Sequence, residues 1–361
     1  MTRPKSPPDI DGRVVTIGRW GLRLAEQIRP ALRFSGKTPA AYARWRRRFA
    51  PQFRQLLGRF PDPVPLRPKV LERRAYRTYV REKVIFDSER HMSVPAWICL
   101  PAGRRRGQRF PAVLCCHGHG HGKDGFVGLR SDGRRGMDYH KNLAVRLAEN
   151  GFVALVPDWR GFGERAEPAE THPAPRDLCN LGHLMAELLG YNLLTLNIWD
   201  GMKAIDYLAR RPEVDISRLG CVGVSFGGTM TLFLTAAEPR ITAACVSGYL
   251  APTARSLPWG NCGSQSLPHL LPWGARAEVA GLVCRRPLLV QVGQYDTVFP
   301  AEDALIEYKR VRAIYRAAGV EDRLALDLFD GSHAIRAEPI LDFFGRWIAA
   351  CDTPSGVTKR A

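Results

Sequence analysis

The stretch Ser217-Arg-Leu-Gly-Cys-Val-Gly-Val-Ser-Phe-Gly-Gly-Thr-Met230 decides how this chain of 361 residues is read. A short apolar run ends at Gly223-Val224-Ser225-Phe226-Gly227, and small residues then open a helix. The pattern G-x-S-x-G describes a serine held on a sharp strand-to-helix turn, the nucleophile elbow. The glycines two residues to either side have a physical reason. The turn strains the backbone at the serine, and it closes only when the neighbours are small. The product is a serine Oγ at a helix N-terminus, where backbone N–H groups and the helix dipole favour a developing negative charge. The pattern alone also occurs in ordinary turns, so the rest of the chain must supply partners.

Partners stand downstream. Pro287-Leu-Leu-Val-Gln-Val-Gly293 reads as a buried strand and is followed by Gln294-Tyr295-Asp296; Leu324-Ala-Leu-Asp-Leu-Phe-Asp-Gly-Ser-His333 reads as another strand ending at a histidine. The order Ser, Asp, His differs from the orders that other folds use for the same triad. Ser225 is the expected nucleophile toward an acyl carbon. His333 is the expected base that takes the serine proton and returns it to the leaving group, and Asp296 orients the imidazole and stabilises its cation. Asp327 and Asp330 compete for the third role by their nearness to His333 in the chain. Asp296 is preferred because it follows an apolar strand at its carboxyl end, where α/β sheets place their sites.

A second informative stretch is Pro111-Ala-Val-Leu-Cys-Cys116 and the run His117-Gly-His-Gly-His-Gly122 after it. A glycine-rich loop behind a central strand lets a backbone N–H point at an oxyanion. The expected donors are the N–H groups of His119 and Phe226. A transition-metal site on His117, His119 and His121 is the alternative, since alternate residues of an extended segment share a face. No carboxylate or cysteine set stands with them in the sequence, and the oxyanion reading also accounts for the glycines. No metal and no cofactor is therefore expected.

Around these stretches, strands and helices alternate. Thr38-Pro39 reads as a cap and first helical position. The helix runs to about residue 60, with Tyr42, Trp45, Phe49, Phe53 and Leu57 on one face. Strands are expected at 78–86, 94–100, 111–116, 152–156, 217–224, 241–246, 287–293 and 324–329. Helices are expected at 138–149, 181–189, 193–211, after Ser225, 301–318 and 337–350. The alternation predicts a mostly parallel central sheet with helices on both faces. Residues 1–70 form a helical N-terminal extension and 71–351 a catalytic domain. Loops at about 160–192 and 250–280 lie over the pocket, and 352–361 form a flexible tail. Candidate pocket residues are His117, Trp159, Arg160, Phe162 and Gln265, with Trp259 and Trp273 as further aromatics.

The net charge of +18 invites a nucleic-acid reading. No recognition motif or aromatic-interleaved basic repeat accompanies the arginines, so no specific nucleic-acid partner is expected. No apolar run approaches membrane-span length, and the start of the chain lacks a secretory apolar core. Nine cysteines, an odd number scattered along the chain, read as reduced and packed thiols. A cytoplasmic location is the expectation.

Several segments resemble a known family. His117-Gly-His-Gly120, Asp158-Trp-Arg-Gly-Phe-Gly163, Gly223-Val-Ser-Phe-Gly-Gly228, Arg286-Pro-Leu-Leu289 with Gly293 and Asp296, Gly331-Ser-His333 and Asn261-Cys-Gly-Ser-Gln265 together resemble α/β-hydrolases of the dienelactone hydrolase and acetyl xylan esterase-like group. The resemblance covers roughly residues 75–350, with the extension outside it. It implies cofactor-free serine hydrolysis of a small-molecule carboxylic ester through an acyl-enzyme, of acetyl esterase or carboxylesterase type. The nucleophile is serine where true dienelactone hydrolases carry cysteine, which counts against lactone opening. The extension is a candidate pocket wall or homo-oligomer interface. An amide or peptide hydrolase on the same triad and a non-catalytic binder on this scaffold are the competing readings.

Overall fold

The computed structural model describes residues 9–167, 178–256 and 262–349. Residues 168–177 of the expected cap loop, residues 257–261 with Trp259 and Asn261, and the expected tail lie outside the described residues.

Apolar runs that admit no polar face build the centre. The strands are β1 (Lys69–Ala75), β2 (Tyr79–Glu89), β3 (Met92–Pro101), β4 (Phe110–Cys116), β5 (Val153–Pro157), β6 (Val214–Val224), β7 (Ala243–Ser247), β8 (Leu288–Gly293) and β9 (Leu324–Phe329). They form one sheet in the order β1-β2-β3-β5-β4-β6-β7-β8-β9. Pairs from β1 to β5 through β3 are antiparallel, and all pairs from β5 onward are parallel. β5, β7 and β8 are buried along their whole length, as strands covered on both faces must be. Side chains alternate between two cores: Leu114 and Cys116 face one, Val113 and Cys115 the other. The chain turns back at β4, with β5 on one side and β6 on the other, so the loops after β4 and β6 open together at the carboxyl ends.

The helices are α1 (Ile17–Gln27), α2 (Pro39–Leu57), α3 (Leu143–Glu149), α4 (Leu178–Leu188), α5 (Leu193–Ala209), α6 (Phe226–Ala237), α7 (Thr253–Ser256), α8 (Arg276–Val283), α9 (Ala301–Ala317) and α10 (Ala337–Phe344). None among the described residues is long and apolar enough to cross a membrane.

The extension is stitched into the larger core. Thr38 caps α2 by accepting the N–H of Ala41 at 3.2 Å. The stripe Tyr42, Trp45, Phe49, Phe53 and Leu57 is buried. Trp45 and Phe49 stack with ring centroids 5.3 Å apart. Gly281 of α8 leaves the space for Trp45, since a Cβ there would stand 2.6 Å from the indole. The Tyr42 hydroxyl donates to the Gly281 carbonyl at 3.1 Å, and Thr195 of α5 donates to the Leu57 carbonyl at 2.6 Å.

Three elements differ from expectation. β1 went unseen because all seven of its residues are exposed, so an edge strand of mixed charge shows no apolar period. The helix expected from 138 begins at Leu143, because Lys141 and Asn142 take φ of 53° and 55°, which no right-handed helix admits. α8, which begins within the expected 250–280 loop and runs past it, is buried on every side and so lacks an amphipathic period.

Phe49→Ala should lower unfolding free energy by about 3–5 kcal/mol, measured from urea unfolding. A loss under about 1 kcal/mol would contradict the integral packing of α2.

Candidate active site

Ser225 stands between β6 and α6 with φ 62° and ψ −125°. That backbone is costly for a residue with a side chain and persists only where its surroundings impose it. Here they do. A Cβ on Gly223 would run into the carbonyl oxygens of Gly227 and Cys116, and one on Gly227 would overlap the Cys116 carbonyl. The Ser225 N–H donates to the Ser247 carbonyl at 3.1 Å, which ties the elbow to the end of β7. Its side chain makes no cap bond to α6, so the hydroxyl is not taken up by the helix.

The next residue after Ser247 leads to the other predicted partners. Gly248 has φ 51°, and a Cβ there would lie 3.1 Å from the His333 ring and 3.4 Å from Asp296 Oδ2. Asp296 Oδ2 is 2.7 Å from His333 Nδ1. Its Oδ1 accepts the N–H groups of Val298 and Phe299, each at 2.8 Å, so the carboxylate is fixed at both oxygens. With Nδ1–H donated to Asp296, His333 keeps Nε2 as its acceptor. The ring lies between Tyr139 and Phe299, at centroid distances of 5.7 and 6.0 Å. The two competing acids are placed elsewhere: Asp327 accepts from Gln291 and Arg336, each at 2.9 Å, and Asp330 is exposed.

The loop after β4 is held atom by atom. His117 is buried; its Nε2 accepts the Trp159 N–H at 3.1 Å, and Nδ1–H donates to the Gly118 carbonyl at 2.8 Å. Burial pulls its pKa down to about 4, against the nearby Asp158 carboxylate, so the ring is neutral at pH 7. His140 Nε2 accepts the Gly118 N–H at 3.0 Å, while its Nδ1–H is held by Asp138 at 2.8 Å. Tyr139 donates to the His119 carbonyl at 2.5 Å. A Cβ on Gly118 would collide with the Tyr139 hydroxyl and stand 3.0 Å from Ser225 Cβ. These bonds occupy the neighbouring polar groups and leave the His119 N–H without an acceptor among the described residues. The Phe226 N–H opens the first turn of α6, where helix donors have no intrahelical partner.

The predicted pocket residues divide. Phe162 stacks on Phe226 at 4.9 Å and meets the His119 ring edge-on at 5.1 Å. Gln265 accepts from Thr229, in the first turn of α6, at 2.9 Å. Trp159 is fully buried and His117 lies beneath the loop. Arg160 forks onto Asp200 with two bonds of 2.9 Å and pairs with Glu89 at 2.6 Å. Arg165 reaches Asp200 at 2.8 Å. Burial alone would raise Asp200, but these two guanidiniums overcome it and hold the carboxyl at about 2. Trp273 sits by the extension, its carbonyl accepting the Leu32 N–H at 3.0 Å.

The three histidines of the glycine-rich run are not brought together. His117 is in the core, while His121 is turned out to Ser131 at 3.0 Å. The His119 ring instead meets Cys262, with Nε2 3.3 Å from Sγ. Sequence reasoning missed Asp138, Tyr139 and His140 as supports of the loop. The polar triplet ahead of α3 was their only signal. A cavity of about 840 Å³ between α2, α6 and α8 lies apart from these groups and is lined by no histidine or carboxylate.

The sequence profile of the Abhydrolase family matches residues 9–258. The chain belongs to this family. The match begins ahead of α1, so the extension, expected outside the shared region, falls within it. A Bacillus subtilis protein provisionally named hydrolase YtaP is 28% identical over 278 residues, covering 75% of this chain and 88% of that protein. The structure of a Bacteroides fragilis protein provisionally named an acetyl xylan esterase superposes with a TM-score of 0.73 at 17% identity, covering 97% of this chain and 93% of its own. A glucuronoyl esterase from Solibacter usitatus gives a TM-score of 0.61 at 15% identity, over 88% of this chain and 98% of its own. At such identities these likenesses bear on the α/β-hydrolase fold alone.

The buried His117 makes stability depend on pH. Its folded pKa lies below the unfolded value near 6.5, so its contribution is whole above that pH and is lost as pH falls toward about 4. Between pH 7 and 4.5 the wild type should lose about 2–3 kcal/mol more unfolding free energy than His117→Gln, measured by urea unfolding. Equal losses in both proteins would contradict this account.

Proposed function

We propose that the chain is a serine hydrolase of small carboxylic esters, working through an acyl-enzyme. The observation that carries this reading is the pairing of Asp296 with His333 against Gly248, next in the chain to Ser247, whose carbonyl holds the Ser225 N–H on its strained elbow. Ser225 Oγ attacks the ester carbonyl carbon as His333 Nε2 takes its proton. The carbonyl oxygen becomes an oxyanion, and the N–H groups of His119 and Phe226, which carry no other acceptor among the described residues, are the proposed donors to it. His333 then protonates the departing alcohol. Water repeats the sequence on the acyl-enzyme and frees the acid. Asp296 keeps the imidazole in the Nδ1–H tautomer and stabilises its cation throughout. Phe162 and Gln265, packed against the start of α6, are the proposed pocket wall. The esterase names of the similar structures, acetyl xylan and glucuronoyl esterases, support an ester of a carbohydrate or its acyl group as the substrate class.

With p-nitrophenyl acetate, Ser225→Ala should lower kcat about 10⁴-fold or more, and Asp296→Asn by about 10⁴-fold, with circular dichroism unchanged. Short esters should be turned over faster than aminoacyl amides. Turnover retained in Ser225→Ala would overturn the reading.

A further inference from the structure

We propose that His119, Cys179 and Cys262 form a binding site for one thiophilic cation of the Zn²⁺ type. The three residues come from segments far apart in sequence: the loop after β4, the first turn of α4, and the residue ahead of the 3-10 turn Gly263–Gln265. The fold nevertheless places one donor atom of each within 4.8 Å of the other two. Ligands at 2.0–2.3 Å from a tetrahedral ion are roughly 3.5–3.8 Å apart, so small side-chain rotations complete the geometry. One imidazole and two thiols are the donor set that selects Zn²⁺ over the oxygen-seeking Mg²⁺ and Ca²⁺.

The chemistry of the thiols sets this pair apart. Cys262 Sγ lies 3.3 Å from His119 Nε2 and 2.7 Å from Ser264 Oγ, so this thiol stands among polar partners at a partly exposed position. Cys99, Cys115, Cys116 and Cys245, by contrast, lie in strands where burial pushes their thiols up, and they are inert packing groups.

A second observation points the same way. His183 lies one helical turn after Cys179 on the same face of α4. Its ring packs against Gly263, where a Cβ would fall 2.5 Å from the His183 Cβ and Cγ. Its buried Nδ1 has no hydrogen-bond partner among the described residues. That buried nitrogen stands open close to Gly263, the residue after the ligand Cys262. Cys262 and His119 are both partly exposed, which gives the ion a way in. The ion would tie the glycine-rich loop, α4 and the 263–265 turn together. If the proposed function holds, it also neutralises a thiolate close to the oxyanion.

The test is a titration of the full chain with Co²⁺ under a non-thiol reductant, in a Cys351→Ser background that removes the tail thiol. A thiolate-to-cobalt charge-transfer band saturating at one ion per chain is expected, displaced by one equivalent of Zn²⁺. Cys179→Ser and Cys262→Ser should each abolish the band and weaken Zn²⁺ binding by at least about 100-fold. Cys284→Ser, outside the cluster, should retain it. Zn²⁺ should raise the melting temperature of the parent and not of the two cluster variants. Absence of the band, or its survival in either cluster variant, would overturn the proposal. None of these readouts needs ester turnover, so the site and the hydrolase reading fail separately.

Discussion

The backbone at Ser225, with φ 62° and ψ −125°, is the constraint on which the rest of the site depends. It is paid for by close packing of main chain on main chain. Gly223 and Gly227 lie so near the Cys116 carbonyl that no side chain fits at either position. The elbow therefore presses directly on the end of β4, and the loop that follows β4 inherits its position from the same contact. One strained residue thus fixes both the serine and the start of the loop after β4.

Two buried networks then keep the surrounding loops from relaxing. On one side, neutral His117 and His140 act as acceptors for the Trp159 and Gly118 N–H groups, and Tyr139 holds the His119 carbonyl. On the other, Asp200 binds Arg160 and Arg165, while Asp158 accepts the Lys123 and Glu164 N–H groups at 2.7 and 3.1 Å. Buried charge of this kind is worth little net stability, but removing one partner leaves the others unpaired at high cost. Such a network favours one arrangement of the loops over its alternatives.

Much of this was legible in the sequence where the signal is local. The apolar strands, the elbow and the stripe from Tyr42 to Leu57 follow from spacing, because each is dictated by its own burial. The pairing of Asp296 with His333 was legible because each follows a strand at the carboxyl end of the sheet, Asp296 after the buried β8 and His333 after β9. Features made by distant segments were not. β1 carries no apolar period at an exposed edge, and α8 carries none because it is buried all round. Nothing near Arg160 in the chain announces Asp200 or Glu89. Likewise, the meeting of His119 with Cys179 and Cys262 joins residues up to 143 positions apart. The left-handed Lys141 and Asn142 delay to Leu143 a helix that the residue types alone would start at 138.

The central claim is that the fold activates one serine. The most direct measurement is labelling of the intact chain with a fluorophosphonate probe, followed by peptide mapping. Stoichiometric phosphonylation on the peptide carrying Ser225, lost in His333→Ala, is the predicted result. Labelling of a different residue, or none in a folded protein, would contradict the account.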